Sequence, residues 1–167
     1  MTVTIYSEGA AQEVTGSRHI ISVNDERVMI DCGAFQGHRD EADRKNRAFT
    51  EDDIGMIDAL VLTHAHFDHC GLIPLLVKKG FQKNIYSTPA SRDLASLILM
   101  DSANIQAHDC DYLRKQAAKR GEKFDREPLY SDDDVIRAMG QFVTVSYNRP
   151  IMVSRNWILA SLSYAHH

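Results

Sequence analysis

No run of uncharged apolar residues in this chain reaches the roughly 18 to 20 that a membrane span requires. The opening Met1-Thr-Val-Thr-Ile-Tyr6 has neither the basic segment nor the apolar core of a secretion signal. A cytoplasmic protein without a membrane partner is therefore expected. Cysteine is scarce: Cys32, Cys70 and Cys110 are widely spaced and never form a CxxC pair, which argues against a disulfide framework and a cysteine-rich zinc knuckle. Net positive charge is also lacking. The formal charge of −4 argues mildly against bulk nucleic-acid binding through a basic domain. One local exception runs from Tyr112 to Arg126, where Arg114, Lys115, Lys119, Arg120, Lys123 and Arg126 face only Glu122 and Asp125. Its simplest reading is a solvated helix face.

The chain's 167 residues, 44% hydrophobic, suffice for one domain with a buried core. Thr2 to Ser7, His19 to Val23 and Arg27 to Ile30 read as strands, the last two joined by the turn Asn24-Asp25-Glu26. A charged surface connection over Arg39 to Asn46 leads to a buried strand at Ile57 to Leu62. A short helix follows Gly71, a strand spans Asn84 to Ser87, and Thr88-Pro89 opens a long helix that continues to about Lys119. Within it Leu94, Leu97, Ile98 and Ile105 recur at helical spacing and are expected to pack into the core. Ser131 with Asp134 caps a helix through Met139, and Phe142 to Val145, Ile151 to Val153 and Trp157 to Leu162 read as strands. Strands first, then strands alternating with helices, give an α+β class with helix-covered sheet.

The densest chemistry lies in Thr63-His-Ala-His-Phe-Asp-His-Cys-Gly71, on a turn between strand and helix. His64 and His66 are two apart, so an extended backbone points both the same way. Their imidazoles suit zinc, and Asp68 with His69 offers a mixed oxygen and nitrogen set for a second ion. Ligand sets of this kind leave room for water, which points to hydrolysis. Cys70 is read as bystander rather than nucleophile. Asp31, after the strand Val28-Met-Ile30, either orients a ligand or is an ordinary turn residue. His19, His38 and His108 have no partners at ligand spacing.

HxHxDH after an apolar strand resembles the signature of the metallo-β-lactamase superfamily. Gly9-Ala-Ala-Gln-Glu-Val-Thr-Gly-Ser17, Ile30-Asp-Cys-Gly-Ala-Phe-Gln-Gly37, Tyr86-Ser-Thr-Pro-Ala90 and Leu99-Met-Asp-Ser102 narrow the resemblance to the β-CASP branch of RNA-processing nucleases, related to the cleavage and polyadenylation specificity factor nuclease. The resemblance implies an αββα sandwich, here its N-terminal half. It also implies hydrolysis of RNA phosphodiesters by a metal-bound hydroxide, with His64 and His66 on one zinc and Asp68 and His69 on the other. Asp31 takes the place of the first-motif aspartate, so Asp68, His69 and Asp31 are the expected catalytic residues. Glu13, Thr15 and Gln36 are expected on substrate-binding loops near the cleft.

Tyr164-Ala-His-His167 resembles a weak third motif in which His167 completes the first zinc shell. The family's metal-bridging aspartate, its inserted β-CASP domain and its late histidines have no counterpart, so residues 1–167 are expected to form a single, incomplete metallo-β-lactamase domain. Such a chain would hold two zincs only in a complete site, and one or none by itself. A second copy or a partner chain is expected to cover the missing half. Two alternatives remain: a thioester or lactam hydrolase of the same fold, and a non-catalytic interaction module that needs a partner.

Overall fold

Backbone ladders pair the opening strands into a meander, although the side chains of Val3 to Glu8 stay exposed rather than half-buried as their alternation suggests. In the computed structural model, which describes residues 2–48, 54–154 and 157–159, β1 (Val3–Gly9), β2 (Arg18–Val23) and β3 (Glu26–Ile30) run antiparallel. From β3 onward each strand lies parallel to its predecessor: β4 (Ala59–Val61), β5 (Ile85–Ser87) and β6 (Phe142–Thr144) complete a six-stranded sheet in sequence order. Parallel neighbours need long crossovers. Helix α1 (Arg39–Arg47) lies in the first, α2 (Phe67–Cys70) and α3 (Ile73–Lys78) in the second, and α4 (Pro89–Lys119) and α5 (Asp132–Met139) in the third. A hairpin of β7 (Ile151–Ser154) and β8 (Trp157–Leu159) forms a separate two-stranded sheet.

Register decides which residues form which layer. Ile20, Met29, Leu60, Ile85 and Phe142 are consecutive cross-strand partners, so they share one face of the pleat. There they join Leu72, Leu76, Leu99, Tyr130 and Val135 from the helices in the main core. The neighbouring row His19, Ile30, Val61, Tyr86 and Val143 points the other way. On that side Val28, Ala59, Val61, Tyr86 and Val145 pack with Ile151, Val153 and Trp157 of the hairpin. Helices thus cover one face and the hairpin lies on the other, as expected for the α+β class and its metallo-β-lactamase-like layering.

One expectation fails in α4. Leu94, Leu97 and Ile105 are exposed, Leu97 to 70%, and only Ile98 of the four packs against the core. The buried positions are Ala95, Leu99, Ala103 and Cys110. Helical spacing admits either face, and size misleads here because small side chains let α4 settle closely against the sheet and its neighbouring helices.

The start of α5 is set by a capping box. The Ser131 hydroxyl accepts from the Asp134 N–H, and the Asp134 carboxylate accepts from the Ser131 N–H at 2.8 Å. Burial alone would raise the Asp134 pKa, but the Ser131 backbone and hydroxyl bonds, then the Arg137 and Lys78 charges, bring it below the usual value. A depressed folded pKa makes this contribution full above the unfolded carboxylate value of about 3.9 and lost as pH falls through the lower folded value. Asp134→Asn is expected to lower stability by about 1 kcal/mol near neutrality. That difference should shrink toward zero in acid, as read from urea midpoints at pH 6 and pH 3.

Candidate metal centre

The four donors follow the carboxyl end of β4, the end of a parallel sheet at which ligands commonly bind. The parallel ladder extends past the strands: the Asp31 N–H donates to the Val61 carbonyl at 2.9 Å and the Leu62 N–H to the Tyr86 carbonyl at 2.8 Å. The chain then turns, His66 caps α2, and Asp68 and His69 lie in the first turn of that helix. Asp31 adopts φ +61°, an uncommon conformation for aspartate that local bonding must hold. That bonding is extensive.

Only 2% exposed, the Asp31 carboxylate accepts from the Thr63 N–H at 2.8 Å, the Thr63 hydroxyl at 2.8 Å, the Ser17 hydroxyl at 3.3 Å and His69 Nδ1 at 2.7 Å. These bonds choose tautomers. A carboxylate only accepts, so His69 carries its proton on Nδ1 and turns the lone pair of Nε2 toward Asp68, whose Oδ2 lies 3.7 Å away. The Thr63 hydroxyl gives its proton to Asp31 and accepts from His64 Nδ1 at 3.0 Å. His64 therefore presents Nε2, which faces Nδ1 of His66 at 3.1 Å. A single buried carboxylate orients His69 directly and His64 through one hydroxyl.

His64 and His66 form one close pair and His69 and Asp68 another, while the His64 and His69 rings also touch with centroids 4.0 Å apart; among the described residues no three His, Cys, Asp or Glu side chains form one metal-holding group. The pair geometry nonetheless fits metal. Bonds of about 2.0 to 2.1 Å in a tetrahedral shell place neighbouring donors about 3.3 Å apart, close to the 3.1 Å of His64 and His66 and the 3.7 Å of His69 and Asp68. Burial, then the neighbouring His69 and His66, lowers the His64 pKa, which favours the neutral imidazole that a metal requires. Two ligands do not fill a four-coordinate shell, so water, substrate or other side chains must supply the remainder.

Cys32 and Cys70 follow directly after Asp31 and His69 but face inward, both fully buried. Burial pushes each thiol up to about 12, and Cys70 points its Sγ at the Ala65 carbonyl at 3.5 Å. Neither is a thiolate at neutral pH, in line with the bystander reading.

The expected substrate loops come together, though their bonds are to each other. Thr15 Oγ1 accepts from the Gln36 N–H at 3.0 Å, and Glu13 pairs with Lys45 at 2.9 Å. The base of the first loop touches the metal turn, since the Ser17 N–H donates to the Asp68 carbonyl at 2.8 Å and the Ser17 carbonyl accepts from Gly33. His167 lies outside the described residues. Sequence reasoning passed over Thr63 and Ser17 as functional positions. For Thr63 the available signal was its place immediately before the first histidine, with a hydroxyl in reach of both strand ends.

Residues 18–148 match the family model described as the metallo-β-lactamase superfamily. The chain belongs to that superfamily. This member is 34% identical over 139 residues to "Ribonuclease TTHA0252" of Thermus thermophilus, a match spanning 83% of the chain and 27% of that protein. It is 40% identical over 139 residues to "Transcription termination factor FttA" of Methanocaldococcus jannaschii, over 83% of the chain and 19% of the relative. A third relative, "Integrator complex subunit 11 homolog" of Dictyostelium discoideum, is 31% identical over 63% of the chain and 15% of its own length. The chain therefore spans about a quarter or less of the curated relatives it matches. These relatives agree with the resemblance to the β-CASP branch, and the family implies binding of a divalent metal.

Proposed function

We propose that the two donor pairs hold two zinc ions and that this chain is the metal-binding part of an RNA phosphodiester hydrolase of the β-CASP type, acting in the cytoplasm. The observation that carries the reading is the locked orientation of His64 Nε2 and His69 Nε2 by the buried Asp31. A ribonuclease among the relatives supports the substrate class. No described helix is long and apolar enough to cross a membrane.

Bound zinc supplies Lewis acidity, which activates water near neutral pH and neutralises phosphate oxygens. His64 and His66 would hold one ion, and Asp68 and His69 the other. Asp31 keeps the imidazole protons of His64 and His69 on the far side of their rings, and acts on the reaction through His69 and Thr63 rather than by touching substrate. The inward-facing Cys32 and Cys70 leave water as the nucleophile.

Calorimetric titration with zinc tests the metal assignment, and cleavage of labelled RNA with and without chelator tests the activity. Saturable zinc uptake and chelator-sensitive cleavage are expected. No uptake would sink the metal reading, and uptake with hydrolysis of a thioester or lactam instead of RNA would transfer the chain to another branch of the superfamily.

A further inference from the structure

Beyond the metal turn, the far end of α4 forms a second surface of different character. Tyr112, Gln116 and Arg120 are spaced four apart and lie along one ridge of the helix. The helix ends in a Schellman turn: the Glu122 N–H donates to the Ala117 carbonyl at 3.0 Å, the Gly121 N–H donates to Ala118 at 3.2 Å, and Gly121 takes φ +71°. This reversal carries the chain back along the helix. Phe124 then lines, with Tyr112, Gln116 and Arg120, a groove of about 290 Å³.

Around this groove the charge is one-sided. Arg114 is paired with Asp111 at 2.7 Å and Arg126 with Asp43 at 3.0 Å. No ion pair among the described residues engages Lys115, Lys119, Arg120 or Lys123, all of which are exposed. Lys119 and Arg120 also offset the negative pole of the helix end, but Lys123 lies beyond the helix, and Glu122 is the one acidic residue in the groove wall. Tyr112 is 62% exposed. Two aromatic rings beside unpaired cations, on a chain of net charge −4, form the combination that binds single-stranded nucleic acid: bases stack on the rings while phosphates meet the cations.

We propose that this groove is a binding site for single-stranded RNA, separate from the metal turn, with a base stacked on Tyr112 and Phe124 and the flanking phosphates on Lys119, Arg120 and Lys123. The choice of RNA rests on the function proposed above. The cavity beside Phe67 of the metal turn runs along the helix from Ser102 to Leu113, and Leu113 also lines the groove, so the groove continues from it, with Arg120 roughly 20 Å beyond Gln106 along the helix axis. The groove thus gives substrate a hold further along the helix than the metal turn.

The test is fluorescence anisotropy of a labelled, unstructured RNA in EDTA, where cleavage does not intrude, over a salt series. The variant Lys119→Ala/Arg120→Ala/Lys123→Ala removes only exposed side chains, and an unchanged thermal midpoint confirms its fold. It is expected to bind roughly 100-fold more weakly at 0.1 M salt, with the slope of log K against log salt reduced by about 2. Tyr112→Ala should lose roughly tenfold with an unchanged slope. Binding of the triple variant within twofold of the parent, at the same slope, overturns the proposal. Loss in the triple variant with none in Tyr112→Ala overturns the stacking groove, and tighter binding of DNA than of RNA of the same sequence overturns the RNA assignment. Zinc-dependent cleavage distinguishes the two readings: patch-dependent binding without cleavage refutes the nuclease and keeps the groove, whereas cleavage with patch-independent binding does the reverse.

Discussion

His64→Ala is expected to abolish zinc uptake at the His64 and His66 pair and, with it, RNA cleavage, whereas Asp31→Asn weakens both by roughly 10 to 100-fold. The contrast follows from what each change removes. Alanine at position 64 deletes the donor nitrogen that faces His66 Nδ1 at 3.1 Å, leaving that pair with one ligand. Asparagine at position 31 keeps the size of the aspartate and one oxygen, so Thr63 retains an acceptor. The amide nitrogen cannot accept, however, so one of the contacts with Ser17, Thr63 or His69 becomes donor against donor. The expected result is a less certain tautomer rather than a missing ligand. Zinc titrations of the two variants beside the parent decide the matter; equal losses would show that Asp31 does more than orient.

Gly33→Ala is expected to be the most damaging single methyl group in the chain. An added Cβ would lie 1.6 Å from the Asp68 carbonyl oxygen, 2.2 Å from its carbon and 2.8 Å from the His69 nitrogen. All three obstacles are backbone, so no rotamer change relieves them, and the strand-end loop must separate from the metal turn. Doing so breaks the Ser17 to Asp68 and Cys32 to His69 bonds, both 2.8 Å. A loss above about 4 kcal/mol is in prospect, a large part of the 5 to 15 kcal/mol that holds a typical domain together. Urea unfolding measures it, with Gly55→Ala as control because a Cβ there meets nothing within 4 Å. A Gly33→Ala protein with the parent's midpoint would show that the two loops are not in the close contact described.

Much of this architecture was legible because local chemistry and tertiary structure agree. Thr88 and Ser131 mark helix starts by side-chain bonds made within a few residues, and the donors of the metal turn are adjacent in sequence. For Asp31 the residues alone leave a ligand-orienting role and an ordinary turn equally open, and the resemblance to the family's first motif supplies the choice. The packed face of α4 was not legible, since periodicity gives a spacing but not which of two faces touches the core. Thr63 escaped for another reason. Its role depends on a hydroxyl lying between Asp31 and His64, and that arrangement exists only once β3 and β4 are paired in their register. The loop contacts of Glu13 and Thr15 depend in the same way on Lys45 and Gln36, more than twenty residues away.

The shared anchoring of His64 and His69 on one carboxylate also governs how the site can vary. A change in His66 or Asp68 removes one donor and leaves the Asp31 bonds to Thr63 and His69 in place. A change in Asp31 reaches both pairs at once, so the two proposed metal positions cannot drift independently at that point. Asp31 is thus the point on which both donor pairs depend, and its replacement is expected to weaken both together.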